Sequence, residues 1–181
     1  MHYRVIFWTF VSIIITACST FSPTPDYIQK KESKLYHILI AQNRSISKKE
    51  ARQVATEAIN YSIFLSHKYN ADTSPWVHNF LVNIGLRDRG LCYQWAGDLY
   101  NHLQKLHLKT IKFIPVGANI GKLNEHNSIA AFPVNTSKLK YGILLDAWRR
   151  SGDLYFIPIQ KDQEYRWYIR HDLIMNPKSR V

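Results

Sequence analysis

Between Tyr27 and Leu106 the apolar residues of this chain recur three and four positions apart; from Ile111 to Ile169 they come in short β-branched and aromatic runs. This change of period constrains the fold most, because a stripe spaced for a helix cannot sit on one face of a strand, nor the reverse. The first part predicts four helices. Tyr27 to Asn43 carries Ile28, Leu35, Ile38 and Leu39 on one side. Ser47-Lys48-Lys49-Glu50 has the pattern of a capping box and opens a helix to about Lys68, with Val54, Ala55, Ala58, Ile59, Phe64 and Leu65 as the buried face. Ser74-Pro75 caps a short helix from Trp76 to Ile84 that stops at Gly85, and a last helix runs from Cys92 to about Leu106. Strands are expected at Ile111 to Val116, Ser128 to Val134, Tyr141 to Leu145, Leu154 to Ile159 and Tyr165 to Ile169, separated by turn residues. Helices followed by a mostly antiparallel sheet make an α+β layout. A length of 181 residues suits one such domain, and 46% hydrophobic residues are ample for its core.

The stretch Arg89-Gly90-Leu91-Cys92-Tyr93-Gln94-Trp95-Ala96 sets a thiol in the first turn of the last helix. Unpaired N–H groups and the positive end of the helix dipole favour thiolate there. Gly90 permits a sharp turn into the helix and the close approach of a substrate backbone. Taken alone, Cys92 reads more readily as a small buried apolar residue, so context decides.

The N-terminus supplies part of that context. Arg4 is followed by an apolar run from Val5 to Ala17, too short for a comfortable membrane span and suited to a signal-peptide core. It ends Ile15-Thr16-Ala17-Cys18, which resembles the lipobox of bacterial lipoproteins. The resemblance implies a signal peptide over residues 1–17, lipidation of Cys18, a Pro- and Ser-containing tether over 18–26 and a single domain over 27–181. Ser19 is not the aspartate that retains lipoproteins in the inner membrane, so the resemblance implies the periplasmic face of the outer membrane in a Gram-negative cell. Only two cysteines are present. With Cys18 lipidated, Cys92 has no intramolecular disulfide partner in an oxidising compartment, and a retained lone thiol is better explained by chemistry.

A thiol nucleophile needs a base, and the base an orienting group. His126 opens one predicted strand and Asp146 ends the next. In a hairpin centred on Thr136 the two face each other directly, within reach of a carboxylate–imidazole hydrogen bond. His37, His67, His78, His102 and His107 fall on helices or their ends, and His171 reads as surface.

Gly-Leu-Cys-Tyr-Gln-Trp-Ala at 90–96, the strand-opening His126 and Leu-Asp-Ala-Trp at 145–148 together resemble bacterial transglutaminase-like proteins of the papain-like cysteine-peptidase superfamily. The resemblance spans roughly Leu86 to Ile159. It implies a nucleophile helix packed on a small antiparallel sheet, with Cys92 as nucleophile, His126 as general base and then acid, and Asp146 as the orienting carboxylate. Trp95 and Trp148 become candidate walls of a substrate cleft. Asn127-Ser128 depart from the aromatic residue and acidic-apolar strand that often follow the histidine, which leaves substrate class open. The sister NlpC-type pattern, Asp-Cys-Ser-Gly with a second histidine, is absent.

The expected function is thiol-dependent acyl transfer, by hydrolysis or transamidation, on a peptide or protein of the envelope. The alternative is a non-catalytic lipoprotein that binds a peptide or envelope polymer in the same cleft. A net charge of +11 suits an anionic surface. No dense basic stripe or nucleic-acid-binding motif is present, so nucleic acid is not an expected partner. No cofactor is implied, and Cys92, His126 and Asp146 lack the short ligand spacing of zinc sites. Arg149-Arg150 reads as a solvated pair or as a carboxylate-binding one.

Overall fold

A computed structural model describes residues 20–170 of the chain. Residues 1–17, Cys18 and His171 lie outside them. Four helices, α1 (Pro25–Gln42), α2 (Lys48–Lys68), α3 (Pro75–Asn83) and α4 (Cys92–Gln104), precede five strands, β1 (Ile111–Ala118), β2 (His126–Pro133), β3 (Ile143–Asp146), β4 (Tyr155–Pro158) and β5 (Tyr168–Ile169). The strands form one antiparallel sheet in the order β4-β3-β2-β1-β5. This is the α+β architecture that the change of period predicts.

Three of the helix starts follow from their sequences. Thr24, Ser47 and Ser74 accept the N–H groups of Tyr27, Glu50 and Val77, and proline occupies the first position of α1 and α3. The first helix therefore begins at Pro25, inside the stretch expected as tether. The capping box at Ser47 is only half formed. Instead of reaching back, the Glu50 carboxylate accepts from the Lys109 and Thr110 N–H groups at 2.8 and 2.7 Å and from the Thr110 hydroxyl. Ser47 N–H turns to Thr110 Oγ1 at 3.0 Å, so the start of α2 is tied to the entrance of β1.

The helices cover one face of the sheet. Leu35 and Leu39 of α1, Val54, Ala58 and Leu65 of α2 and Trp95, Leu99 and Leu103 of α4 share a core with Ile111, Phe113, Ile129, Ala131, Ile143 and Leu145. A fully buried leucine contributes roughly 2 kcal/mol on transfer out of water. Phe64, expected on the buried face of α2, is 52% exposed and stacks on Tyr61. The opposite face of the sheet is covered by a smaller cluster in which Ile159 and Trp167 pack on Val116, Ala130, Phe132 and Leu144. The central strand β2 is buried along its whole length, and His126 is its first residue.

Candidate active site

The turn before α4 is tied at every residue. Gly90 has φ +128°, a region that side-chain-bearing residues rarely adopt, and a Cβ there would lie 2.1 Å from His78 Nε2. The close approach that Gly90 permits is thus to His78 of α3. His78 Nε2–H donates to the Arg89 carbonyl at 2.9 Å, and the Trp95 indole N–H donates to the Gly90 carbonyl at 2.9 Å. Gln94 Oε1 accepts from the N–H groups of Gly90 and Leu91, at 2.7 and 3.0 Å. These contacts hold Cys92 in the first turn of α4, buried, with Sγ donating weakly to the Glu125 carbonyl at 3.8 Å.

Glu125 immediately precedes His126. The imidazole is 1% exposed, and its Nε2 lies 2.7 Å from Asp146 Oδ2. With Nε2–H donating to the carboxylate, Nδ1 is the ring's acceptor; it is buried without a hydrogen-bond partner. Burial by itself pushes the ring pKa down, but the charge and hydrogen bond of Asp146, and then the neighbouring Cys92, raise it to about 9. Three aromatic rings surround the imidazole: Trp148 at 4.7 Å, Tyr165 at 4.8 Å and Trp167 at 5.3 Å between centroids. Burial also pushes the Tyr165 hydroxyl up to about 12, aided by the charge of Glu164.

Asp146 is a fully engaged carboxylate. Oδ1 accepts from the backbone N–H groups of Trp148 and Arg149, at 3.2 and 3.1 Å, and Oδ2 accepts from His126 and from Arg149 Nε at 3.1 Å. Burial pushes its pKa up, yet His126 and Arg149 outweigh that and hold it below the usual aspartate value. Arg149 in turn forks onto Asp162 at 3.1 and 2.7 Å and lies over the Tyr155 and Tyr165 rings. Its side chain is 7% exposed. Arg149 is therefore neither solvated nor open to a substrate carboxylate; it braces the acid, while Arg150 is exposed.

The strand pairing is displaced by two residues from the expected one. Ile129, Ala130 and Ala131 face Leu145, Leu144 and Ile143, so His126 and Asp146 are not directly opposite. A shift of two keeps every side chain on its own face, whereas a shift of one would have separated the pair. The imidazole reaches the carboxylate diagonally, a span that a ring can bridge.

Of the residues expected at the site, Cys92, His126, Asp146 and Trp148 come together. Trp95 does not: it is 2% exposed, packs edge-on against Tyr69 and anchors the Gly90 turn from within the core. Trp148 lies beside the imidazole and donates its indole N–H to Asn79 Oδ1 at 3.0 Å. His78, Tyr165 and Trp167 belong to the surroundings of the site without having been singled out by the sequence, and Arg149, read there as solvated or carboxylate-binding, joins them as the brace of Asp146. Arg149 alone had a local signal, three residues after the acid; the others arrive from distant segments. Among the described residues no group of three His, Cys, Asp or Glu side chains is arranged to hold a metal ion.

A buried imidazole held on one nitrogen by a carboxylate, with a thiol at a helix start beside it, can take a proton from sulfur and keep the resulting charge pair out of water. Comparison with protein-family models, with curated proteins and with solved structures finds no match for this chain.

Proposed function

We propose that the chain is a papain/transglutaminase-like thiol acyltransferase or hydrolase, carried on an envelope lipoprotein anchored at Cys18. The observation that carries this reading is the fully buried His126–Asp146 hydrogen bond, with the unpaired Nδ1 on the same imidazole whose basicity Cys92 raises. His78, which braces the Gly90 turn, also has a buried unpaired Nδ1, but only His126 combines that with a buried carboxylate on its other nitrogen and Cys92 as a neighbour.

In the proposed cycle His126 Nδ1 takes the Cys92 thiol proton, and the thiolate attacks the carbonyl carbon of a peptide or isopeptide bond. The Cys92 backbone N–H, in a helix turn whose donors lack intrahelical acceptors, faces the developing oxyanion. The tetrahedral intermediate collapses by breaking the C–N bond, and the proton on His126 passes to the departing amine. The acyl group is then a thioester on Cys92. His126 next deprotonates either water, giving a free acid, or an amine, giving a new amide, and the thiol is restored. Asp146, locked by Arg149 and two backbone donors, keeps the ring oriented and stabilises its charged form.

The test is alkylation of the full chain by iodoacetamide across pH. The proposal expects rapid Cys92 alkylation at neutral pH and a slowing of about a hundredfold in His126→Ala. Equal alkylation rates in the two proteins, rising only near the free-thiol pKa of about 8.5, would overturn it. The anchor is tested separately by metabolic labelling with an alkynyl fatty acid, which Cys18→Ser should abolish.

A further inference from the structure

Helix α3 presents an apolar face that is about half exposed among the described residues. Trp76, Val77, Phe80 and Ile84 are 55%, 48%, 60% and 51% exposed, and Leu86 just beyond them is 68% exposed. At 3.6 residues per turn, positions 76, 77, 80 and 84 fall within an arc of about 100°, so they form one stripe. The other side of the helix is committed to the protein, through buried His78 and through Asn79, which accepts from Trp148.

The first described residues show where the chain enters the domain. Residue 20 follows closely on the apolar run Val5 to Ala17. Thr20 Oγ1 meets His67 Nδ1 at 3.1 Å and Phe21 N–H meets Ser66 Oγ at 3.3 Å, at the end of α2. Gly152 packs on that same Ser66, where a Cβ would come within 2.4 Å. Its neighbour Ser151 donates to the Thr73 carbonyl at 2.9 Å, directly before the cap of α3. The point where the N-terminal segment meets the domain is thus linked by contacts to the start of the exposed stripe. Two residues of extended chain span about 7 Å, which bounds the distance from Thr20 to Cys18. Phe21 stacks edge-on with Tyr27, which lines a groove of about 490 Å³ together with Lys30, Lys31, Lys34 and Arg150; Lys30 pairs with Asp26, and Lys31 and Arg150 with Asp153, which leaves the cations in excess.

We propose that the α3 stripe beds into the surface of an anionic phospholipid bilayer, with Trp76 and Phe80 at headgroup depth and the Lys30–Lys34–Arg150 cluster meeting lipid phosphates. An exposed tryptophan and phenylalanine together with cations is the chemistry that an interfacial helix uses, and a lipid on Cys18 supplies the tether that brings protein and bilayer together. Trp76 packs edge-on against Trp148 at 5.3 Å, and Trp148 touches His126. Docking therefore sets the wall of the Cys92–His126 site at the membrane surface and selects acyl donors that are themselves held there. The orientation, though not the affinity of the stripe for lipid, rests on the reading of Cys18 as the anchor.

The experiment reconstitutes the full chain in vesicles of phosphatidylethanolamine and phosphatidylglycerol, with or without brominated acyl chains, which quench tryptophan on contact. The fluorescence lost in Trp76→Phe isolates Trp76 from the other four tryptophans, Trp8 included. In brominated vesicles this difference should fall about twofold or more, and Phe80→Asp should restore most of it. A Trp76 signal equally bright in both vesicle types overturns the proposal, as does burial of Trp76 in a dimer of the chain that persists without lipid. Fatty-acid labelling of Cys18, run in parallel, separates the two ideas. A labelled chain with unquenched Trp76 removes the docking and keeps the anchor; an unlabelled chain with quenched Trp76 does the opposite.

Discussion

His126 Nε2 and Asp146 Oδ2 meet at 2.7 Å across two strands whose ladder does not pair them. The contact is set by side chains: Arg149 Nε and the Trp148 and Arg149 N–H groups fix the carboxylate, and the ring comes to it diagonally. Asp146→Asn keeps an acceptor for the two backbone donors and removes the charge. With the largest raising influence gone, the His126 pKa should fall well below about 9. Cys92 alkylation at neutral pH should slow by about a hundredfold or more, since the wrong tautomer and a weaker base act together. Imidazole NMR titration of wild type and variant checks the first expectation, and alkylation rates check the second.

The same pair predicts how stability varies with pH. The folded-state pKa of His126 is raised to about 9 from 6.5, so its contribution is fully present below pH 6.5 and is lost as pH rises through about 9. Asp146 is lowered, so its contribution is present above the ordinary aspartate range and is lost as pH falls through the folded value. Glu125, where burial is outweighed by the Gly121 N–H, Asn127 and Arg170, drops to about 2 and acts in the same direction. Urea midpoints should therefore be highest in mildly acidic solution and fall toward both extremes. His126→Gln should flatten the alkaline decline; a variant that follows the wild-type curve above pH 7 would contradict the assignment.

Much of this could be read from the sequence because it is local. The order of elements, the Ser and Thr caps with their prolines, the thiol at a helix start and the common face of His126 and Asp146 all follow from spacing over a few residues. A two-residue error in register was harmless to the site because side chains alternate with period two. What escaped is long-range. Glu50 fits a capping box equally well whether it bonds its own helix or, as here, the backbone at Lys109 and Thr110. Trp95 fits a cleft wall or a core anchor, and only the position of the Gly90 carbonyl decides between them. His78 carries no sequence mark of its duty, since its partner Arg89 acts through a backbone carbonyl.

Two glycines with positive φ, five residues apart, should respond differently to alanine. Gly90 has φ +128° and a Cβ there would overlap His78, whereas Gly85 has φ +77° and nothing within 4 Å. Gly85→Ala should cost about 1 kcal/mol, the ordinary left-handed penalty. Gly90→Ala adds a collision with a buried ring and should cost about 3 kcal/mol or more. At about 2–4 °C per kcal/mol for a chain of this size, thermal unfolding separates the two readily. Comparable melting temperatures for the two variants would show that the turn before Cys92 can relax.

Arg149→Lys distinguishes a brace from a mere neighbouring charge. The guanidinium spans Asp146 and Asp162 at once while lying flat over Tyr155 and Tyr165. Lysine keeps the positive charge but has neither the fork nor the planar face. If charge alone mattered, the substitution would be nearly silent. If the fork positions the carboxylate, Asp162 and Asp146 are left incompletely paired in a poorly solvated site, and the protein should lose about 2–4 kcal/mol. The imidazole would keep a carboxylate beside it, so its pKa should remain raised while its orientation loosens. The expected signature is a lower urea midpoint together with a reduced Cys92 alkylation rate whose pH profile keeps the wild-type inflection. An inflection displaced as far as in Asp146→Asn would assign Arg149 a direct share in tuning the base.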